Sequence, residues 1–533
     1  MQEVNVGCDE LQNVDKVLSA GTLHSSCGTS DASEAKPQVE ELADFISNML
    51  ITRRAVLRVT TASKAFESCL AALRSSNGRD LFAKSWEAQS IKEFWSHSWH
   101  EDLRKKCLTL LALKNGPPAV VLGNCFAFLT AVLVLVGLGG YKFVWSQALG
   151  VTCTVLALIF WRSRKQIFLD RICISQKDDE LKAEAIVSLA GLLDKSDSML
   201  VLWDASWAER LWCVFELAAF LKSREENAKS LVICPTLTGP VTFVIFIFLA
   251  TTFGTISAIV LLHDSQDYSA WLGGFFVVGI VGASASTHTL RGFYRAVETM
   301  QRQLLSLRVA QLKCTCCSRG HIGHDGRRMI CDREVISTCI TKWFGSTDSF
   351  EAYIRTEVVE VATEQLERSS FNYAWSVLVC SPVLWALLDL ARRSMDFDKP
   401  RWWNLGLWLT LGLNIVLLLF PMLVAWMKLL AHHFRRKSES TCRELLTNLF
   451  LVLCASPVVI CQVGLFLICL LDLLQVRPKS LGNVAFAGVS LAQYALMWLL
   501  HRRGQGYLSR SLRLYRREAR CTAGPDWYRQ SPS

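Results

Sequence analysis

Charge is missing from eight stretches of this chain: residues 118–138, 143–161, 240–262, 270–290, 371–391, 402–427, 446–471 and 483–500, broken only by Asp389. A helix needs about 20 apolar residues to cross the core of a bilayer. Eight such runs in 533 residues, 51% of them hydrophobic, cannot all be hidden by the polar remainder, which argues against an ordinary soluble protein. The expected class is an α-helical multi-pass membrane protein of about eight spans. No secretory leader is expected, because Met1-Gln-Glu-Val-Asn-Val-Gly7 offers neither a basic region nor an apolar one. Acids and histidines are scarce inside the runs: Asp389 and Asp472 sit at run ends, and His288 lies near the end of the fourth. A transporter or channel is therefore the weakest function class, and Asn124, Gln147 and Gln462 read as helix–helix contacts.

Cysteine is absent from the four connections expected on the outer side, although the chain carries 20 cysteines. They fall in the runs or in inner segments, where thiols stay reduced. Basic residues set the orientation. Arg104, Lys105, Lys106 and Lys114 precede the first run, and Arg162, Arg164 and Lys165 follow the second. Arg435, Arg436 and Lys437 follow the sixth, and Arg502, Arg503 and the tail to Arg529 follow the last. The opposite loops hold Lys142 in one and the acids Asp264 and Asp267 in the next, with Arg392, Arg393, Arg401, Arg477 and Lys479 in two less clean ones. The balance predicts a membrane protein with both termini cytosolic. The net charge of +10 then reflects this bias and attraction to anionic lipid, so the lipid bilayer is the expected partner and nucleic acid is not.

What is present between the runs is an alternation of strands and helices. Residues 1–37 read as a disordered tail and 38–91 as a helical segment patterned by Leu42, Phe45, Ile46 and Leu50. Residues 92–116 and 162–236 read as one small parallel α/β unit, interrupted by a membrane hairpin at 117–161. Two crossings return the chain to the side it left, so segments on either side of the hairpin are expected to meet in one sheet. Two spans occupy 237–291, a cytosolic helical module 292–370, the remaining spans 371–500 and a basic tail 501–533. The module is expected to dock on the α/β unit.

The most informative stretch is Ser206-Trp-Ala-Glu-Arg-Leu-Trp-Cys-Val-Phe-Glu-Leu-Ala-Ala-Phe220, after the apolar Met199-Leu-Val-Leu-Trp203. It predicts a strand, a turn and a helix capped by Ser206, with Glu209 reaching back to the cap. Between Leu211 and Leu221 that helix carries a single carboxylate, Glu216, beside Trp212, Phe215 and Phe220. A carboxylate among bulky apolar groups is costly to desolvate and has a partner, a ligand or a task.

These segments resemble the Toll/interleukin-receptor (TIR) domain family. Phe94-Trp-Ser-His-Ser-Trp-His-Glu-Asp102 is similar to the family's first strand, and Phe168-Leu-Asp170 to Glu180 to its second strand and following loop. Ala185-Ile-x-x-Leu-x-x-x-Leu-x-x-Ser196 resembles the next helix, and Trp212-Cys-x-x-Glu-Leu217 the most specific helix motif. The resemblance covers about a fifth of the chain. It departs from the family in the inserted hairpin and in an early end, since the third apolar run leaves no room for a fifth strand and last helix. It implies signalling by cleavage of NAD at the nicotinamide–ribose bond, or by non-catalytic self-assembly. In the first case Glu216 would be the catalytic carboxylate, with Ser96, Ser98, Trp99 and Trp212 binding the substrate NAD. The residues alone leave open a second reading, in which Glu216 only pairs with an Arg or an amide.

Cys314-Thr-Cys-Cys-Ser-Arg-Gly-His321-Ile-Gly-His324, with Cys331 beyond it, supplies more thiol and imidazole groups than the four a zinc ion takes. Cys314, Cys316, Cys317, His321, His324 and Cys331 are therefore candidate zinc ligands. Their spacing matches neither paired Cys-x-x-Cys nor a finger, so acylated or plainly reduced thiols remain alternatives.

Overall fold

The computed structural model describes residues 32–67, 81–98, 102–136, 145–225, 228–262, 269–322, 330–393, 410–473, 479–504 and 506–523. Trp99 and His324, two of the candidate site residues, lie outside them. The described chain is mostly helical and carries one six-stranded mixed sheet. The strands are β1 (Arg58–Thr61), β2 (Trp86–Glu87), β3 (Glu93–His97), β4 (Gln166–Phe168), β5 (Met199–Trp203) and β6 (Leu231–Pro235), in the order β2-β1-β4-β3-β5-β6.

Four of these strands run parallel, and their residue types explain why. Every residue of β5 is buried, and so is every residue of β3. Parallel strands are covered on both faces and so read as unbroken apolar runs. The segments on either side of the hairpin do meet: Phe94 pairs with Met199, Trp95 with Leu200, Ser96 with Val201 and His97 with Leu202. β4 lies on the other side of β3, and β6 lies beyond β5. Numbered among themselves, the parallel strands thus run 2-1-3-4, the doubly wound order.

The sheet is mixed rather than parallel. β1 pairs antiparallel with both β2 and β4. Both extra strands come from the segment whose patterning suggested only helix. That pattern is real in Ala32–Ser47, but β1 has four residues and β2 two, too few to show an alternation. Their order comes from partners far along the chain.

Glu93 fastens the hairpin to the sheet at both feet. Lys114, just before the first hairpin helix, lies 2.5 Å from Glu93, and Lys165, just after the second, lies 2.9 Å away. Burial alone would raise the pKa of this carboxyl, but Lys114, Trp95 and Lys165 outweigh it, and the pKa is lowered. The hairpin helices Gly116–Leu135 and Trp145–Phe160 pack on each other, and Asn115 Nδ2 donates to Leu158 O at 2.9 Å across their base.

Among the described residues four helical stretches are long and apolar enough to cross a membrane: Gly116–Val134, Thr238–Ile259, Thr410–His433 and Thr441–Ile460. A fifth is reached if Tyr373–Val379 and Ser381–Ala391, bent by 46° at their junction, act as one. The expectation of about eight spans is corrected accordingly. Absence of charge marks a run as apolar but does not make it one straight helix of sufficient length. Trp145–Phe160 has 16 residues. At a 1.5 Å rise per residue that is about 24 Å, short of a hydrocarbon core of about 30 Å. The run at 270–290 belongs to the 37-residue helix Ser269–Leu305 and is diluted by Gly279, Gly282, Ser284, Ser286, Thr287 and Thr289.

The segment 292–370 docks on the sheet unit. Helix Asp332–Phe344 packs against helices Ala32–Ser47 and Leu211–Ser223, with the Trp343 ring 5.7 Å from that of Phe215. Helix Val359–Ser369 packs against β6, where Gln365 Oε1 accepts the Ile233 N–H at 3.1 Å. A strand with exposed edge groups is thereby covered.

The third apolar helix is joined to the sheet unit by a close backbone approach at Gly239. Its N–H donates to Thr109 Oγ1 at 3.0 Å, and a Cβ there would stand 2.3 Å from Thr109 N. Gly239→Ala is therefore expected to cost about 1–3 kcal/mol by overpacking, read as a lower melting temperature of the full chain. An unchanged melting temperature would show that the two helices are free to separate.

Candidate functional site

The candidate site forms at the carboxyl ends of β3, β4 and β5, where the strand order reverses. Open α/β sheets place ligands at such a switch point. β3 delivers Ser96, buried at 1% exposure, and helix Leu211–Ser223 delivers Glu216, which keeps partial access to solvent. Ser96 Oγ donates to Glu216 Oε2 at 2.5 Å and accepts from Trp207 Nε1 at 2.9 Å. Trp207 is itself fully buried, so this relay fixes the serine hydroxyl and aims it at the carboxyl.

Burial pushes the Glu216 pKa up to about 8; Asp170 adds to the rise, while Ser96 and Arg210 oppose it. Asp170, two residues beyond the end of β4, is pushed up to about 6 by burial, against the pull of the Arg171 amide and the Arg171 and Arg210 charges. Its Oδ1 accepts the Arg171 N–H at 2.6 Å. At neutral pH one carboxyl thus holds a proton and the other is ionised. Two acids set apart in this way are the usual arrangement for acid–base work. Burial, with Lys106 and Arg210 adding, also lowers His97 to about 3, which keeps that ring neutral.

Among the described residues proposed to bind the substrate, only Ser96 joins Glu216. Ser98 lies two residues further along β3, but its Oγ pairs with Ser206 Oγ and with Asp204 Oδ1. Trp212 turns away, and its Nε1 donates to Asp332 Oδ2 at 3.2 Å. Ser206 does not cap the Glu216 helix either. The cap position is Arg210, Trp207–Glu209 forms a 3-10 turn, Ser206 serves Asp204, and Glu209 pairs with Lys313 at 2.5 Å.

The sequence reading missed Asp170, Arg210 and a buried ion pair. Lys106 Nζ lies 2.9 Å from Asp204 Oδ2, with the two side chains 2% and 0% exposed. Asp204 also accepts the Ser206 N–H at 2.9 Å and the Trp207 N–H at 3.1 Å. A signal was present: Asp170 and Asp204 each follow closely on a fully apolar strand end, where a side chain emerges at the ligand edge of the sheet.

The thiol cluster lies on the outer side of the same helix. Cys316, Cys317, His321 and Cys331 bring one ligand atom each within 4.8 Å of one another. Cys314 stands apart in a second set with Cys316 and Asp332. Among the described residues 13 cysteines are free thiols, and Cys107 is disulfide-bonded.

No family model, no curated protein and no solved structure matches this chain.

Proposed function

We propose that this chain is a membrane-anchored, TIR-like signalling protein whose Glu216 site cleaves NAD at the nicotinamide–ribose bond. One observation carries the reading: a carboxyl held by Ser96 at the switch point of parallel strands in the order 2-1-3-4. Leaving of nicotinamide develops oxocarbenium character on the ribose. In its ionised form, the minor one at neutral pH, Glu216 accepts the ribose hydroxyls and stabilises that charge, as carboxylates do in glycoside cleavage. Asp170 adds negative potential beside it, and Arg210 suits the pyrophosphate. The bilayer-facing hairpin and the other long apolar helices anchor the unit, and the sheet unit is the surface for self-association.

The second reading is a non-catalytic assembly scaffold. The direct Ser96–Glu216 bond favours it, because it gives the carboxyl a structural partner. Nicotinamide release by the purified full chain separates the two. Release by the native chain and none by Glu216→Ala supports catalysis. Equal release by both rejects Glu216, and no release by the native chain leaves the scaffold.

A further inference from the structure

We propose that Cys316, Cys317, His321 and Cys331 hold a zinc ion that clamps residues 312–322 and the start of helix Asp332–Phe344 onto the first turn of the Glu216 helix. This inference is independent of NAD chemistry.

Distance comes first. Zn–S bonds of about 2.3 Å place neighbouring sulfurs of a tetrahedral site about 3.8 Å apart. Cys316 Sγ lies 3.9 Å from Cys317 Sγ, and Cys317 Sγ lies 3.7 Å from Cys331 Sγ. Both sulfur pairs thus stand at the spacing of a tetrahedral edge, and the four donor atoms all lie within 4.8 Å of one another. Three thiols and one imidazole are the soft and borderline donors that select zinc over magnesium or calcium.

His321 adds an independent observation. Its Nε2 is buried and has no hydrogen-bond partner, a costly state for a ring nitrogen that a metal would relieve. The chain also bends to place it. Gly320 has φ +64° and His321 itself φ +60°, a left-handed conformation that non-glycine residues rarely adopt. The His321 N–H and Arg319 N–H both donate to Cys316 O, which closes a tight turn around the sulfurs.

The surroundings suit thiolates. The Asp332 N–H donates to Cys316 Sγ at 3.3 Å, and Cys331 is the cap residue at the start of helix Asp332–Phe344, where the helix dipole favours negative charge. The competing set is poorer. Cys314 Sγ stands 3.2 Å from Cys316 Sγ, closer than a tetrahedral edge, and Asp332 already accepts from Trp212.

The clamp follows from what the turn touches. Lys313 N–H donates to Glu209 O at 2.7 Å, and Leu211 N–H donates to Lys313 O at 3.2 Å, so residues 312–314 run beside the start of the Glu216 helix. Asp332 then holds Trp212, four residues before Glu216. Loss of the ion frees the turn and with it Trp212.

The test uses the full chain purified in detergent, with metals measured by plasma mass spectrometry. About one zinc per chain is expected, falling at least about fivefold in Cys317→Ser and His321→Ala and unchanged in Cys442→Ser, remote from the cluster. Cobalt exchange should give thiolate-to-cobalt absorption in the same chains. If the variants do not fold, iodoacetamide labelling of the native chain decides: Cys317 and Cys331 are shielded until a chelator is added. Background zinc in the native chain, a stoichiometric metal other than zinc, or labelling indifferent to the chelator overturns the proposal.

Discussion

Glu216→Gln is expected to cut nicotinamide release by about 10²–10³-fold and, at the same time, to make the protein more stable above about pH 5. The two effects have one origin. An unfolded Glu ionises near its model value of 4.5, whereas the folded Glu216 ionises near about 8. Between those values the folded state holds a proton that the unfolded chain has lost, so stability falls as pH rises through that window. Glutamine removes the titration. The gain at pH 8 should be about 1–3 kcal/mol, kept modest because the side chain retains contact with solvent. Melting temperatures of both chains at pH 5 and pH 8 measure it. A glutamine variant that melts lower than the native chain at pH 8 would mean that the carboxyl stabilises the fold, as the scaffold reading requires. The same titration predicts that kcat/KM rises with pH through a midpoint of about 8 and levels off above it, as the ionised form fills. A profile that falls over this range would assign the work to the protonated acid.

Asp204→Ala is expected to destabilise the protein by about 3–5 kcal/mol, the largest loss of any single substitution considered. The aspartate and Lys106 are both buried, and removing either leaves the other without its opposite charge. Asp204 also accepts the Ser206 and Trp207 N–H groups, so the turn entering the Glu216 helix loses its hold together with the ion pair. Lys106→Met should cost a similar amount, and the double variant should cost clearly less than the sum, because no isolated charge is left inside. Chemical unfolding of the four chains measures the coupling. Additive losses would show that the two residues act separately.

Much of the sheet was legible from residues alone. Met199–Trp203 read as a buried strand because its apolar content is continuous, Phe94–Ser98 read as a strand candidate, and the return of the chain through the hairpin predicted their pairing. Glu216 stood out because it is the one acid on an apolar helix. The site around it was less legible. Ser96 and Ser98 differ by one strand repeat, yet only the position of Glu216 relative to β3 decides which serine meets it. Trp212 is one turn from Glu216 and was expected to face the same ligand; helix Asp332–Phe344, distant in sequence, draws it the other way.

The amino-acid order alone determined the apolar character of the long helices, the succession of strands and helices, and the richness of 314–331 in soft donors. These follow from local composition and periodicity, which act over a few residues. The three-dimensional structure decided the antiparallel β1 and β2, the number of described helices long enough to cross a bilayer, the Lys106–Asp204 pair and the gathering of Cys316, Cys317, His321 and Cys331. Each of these depends on groups brought together from distant parts of the chain, where register, straightness and burial select partners that no local pattern can specify.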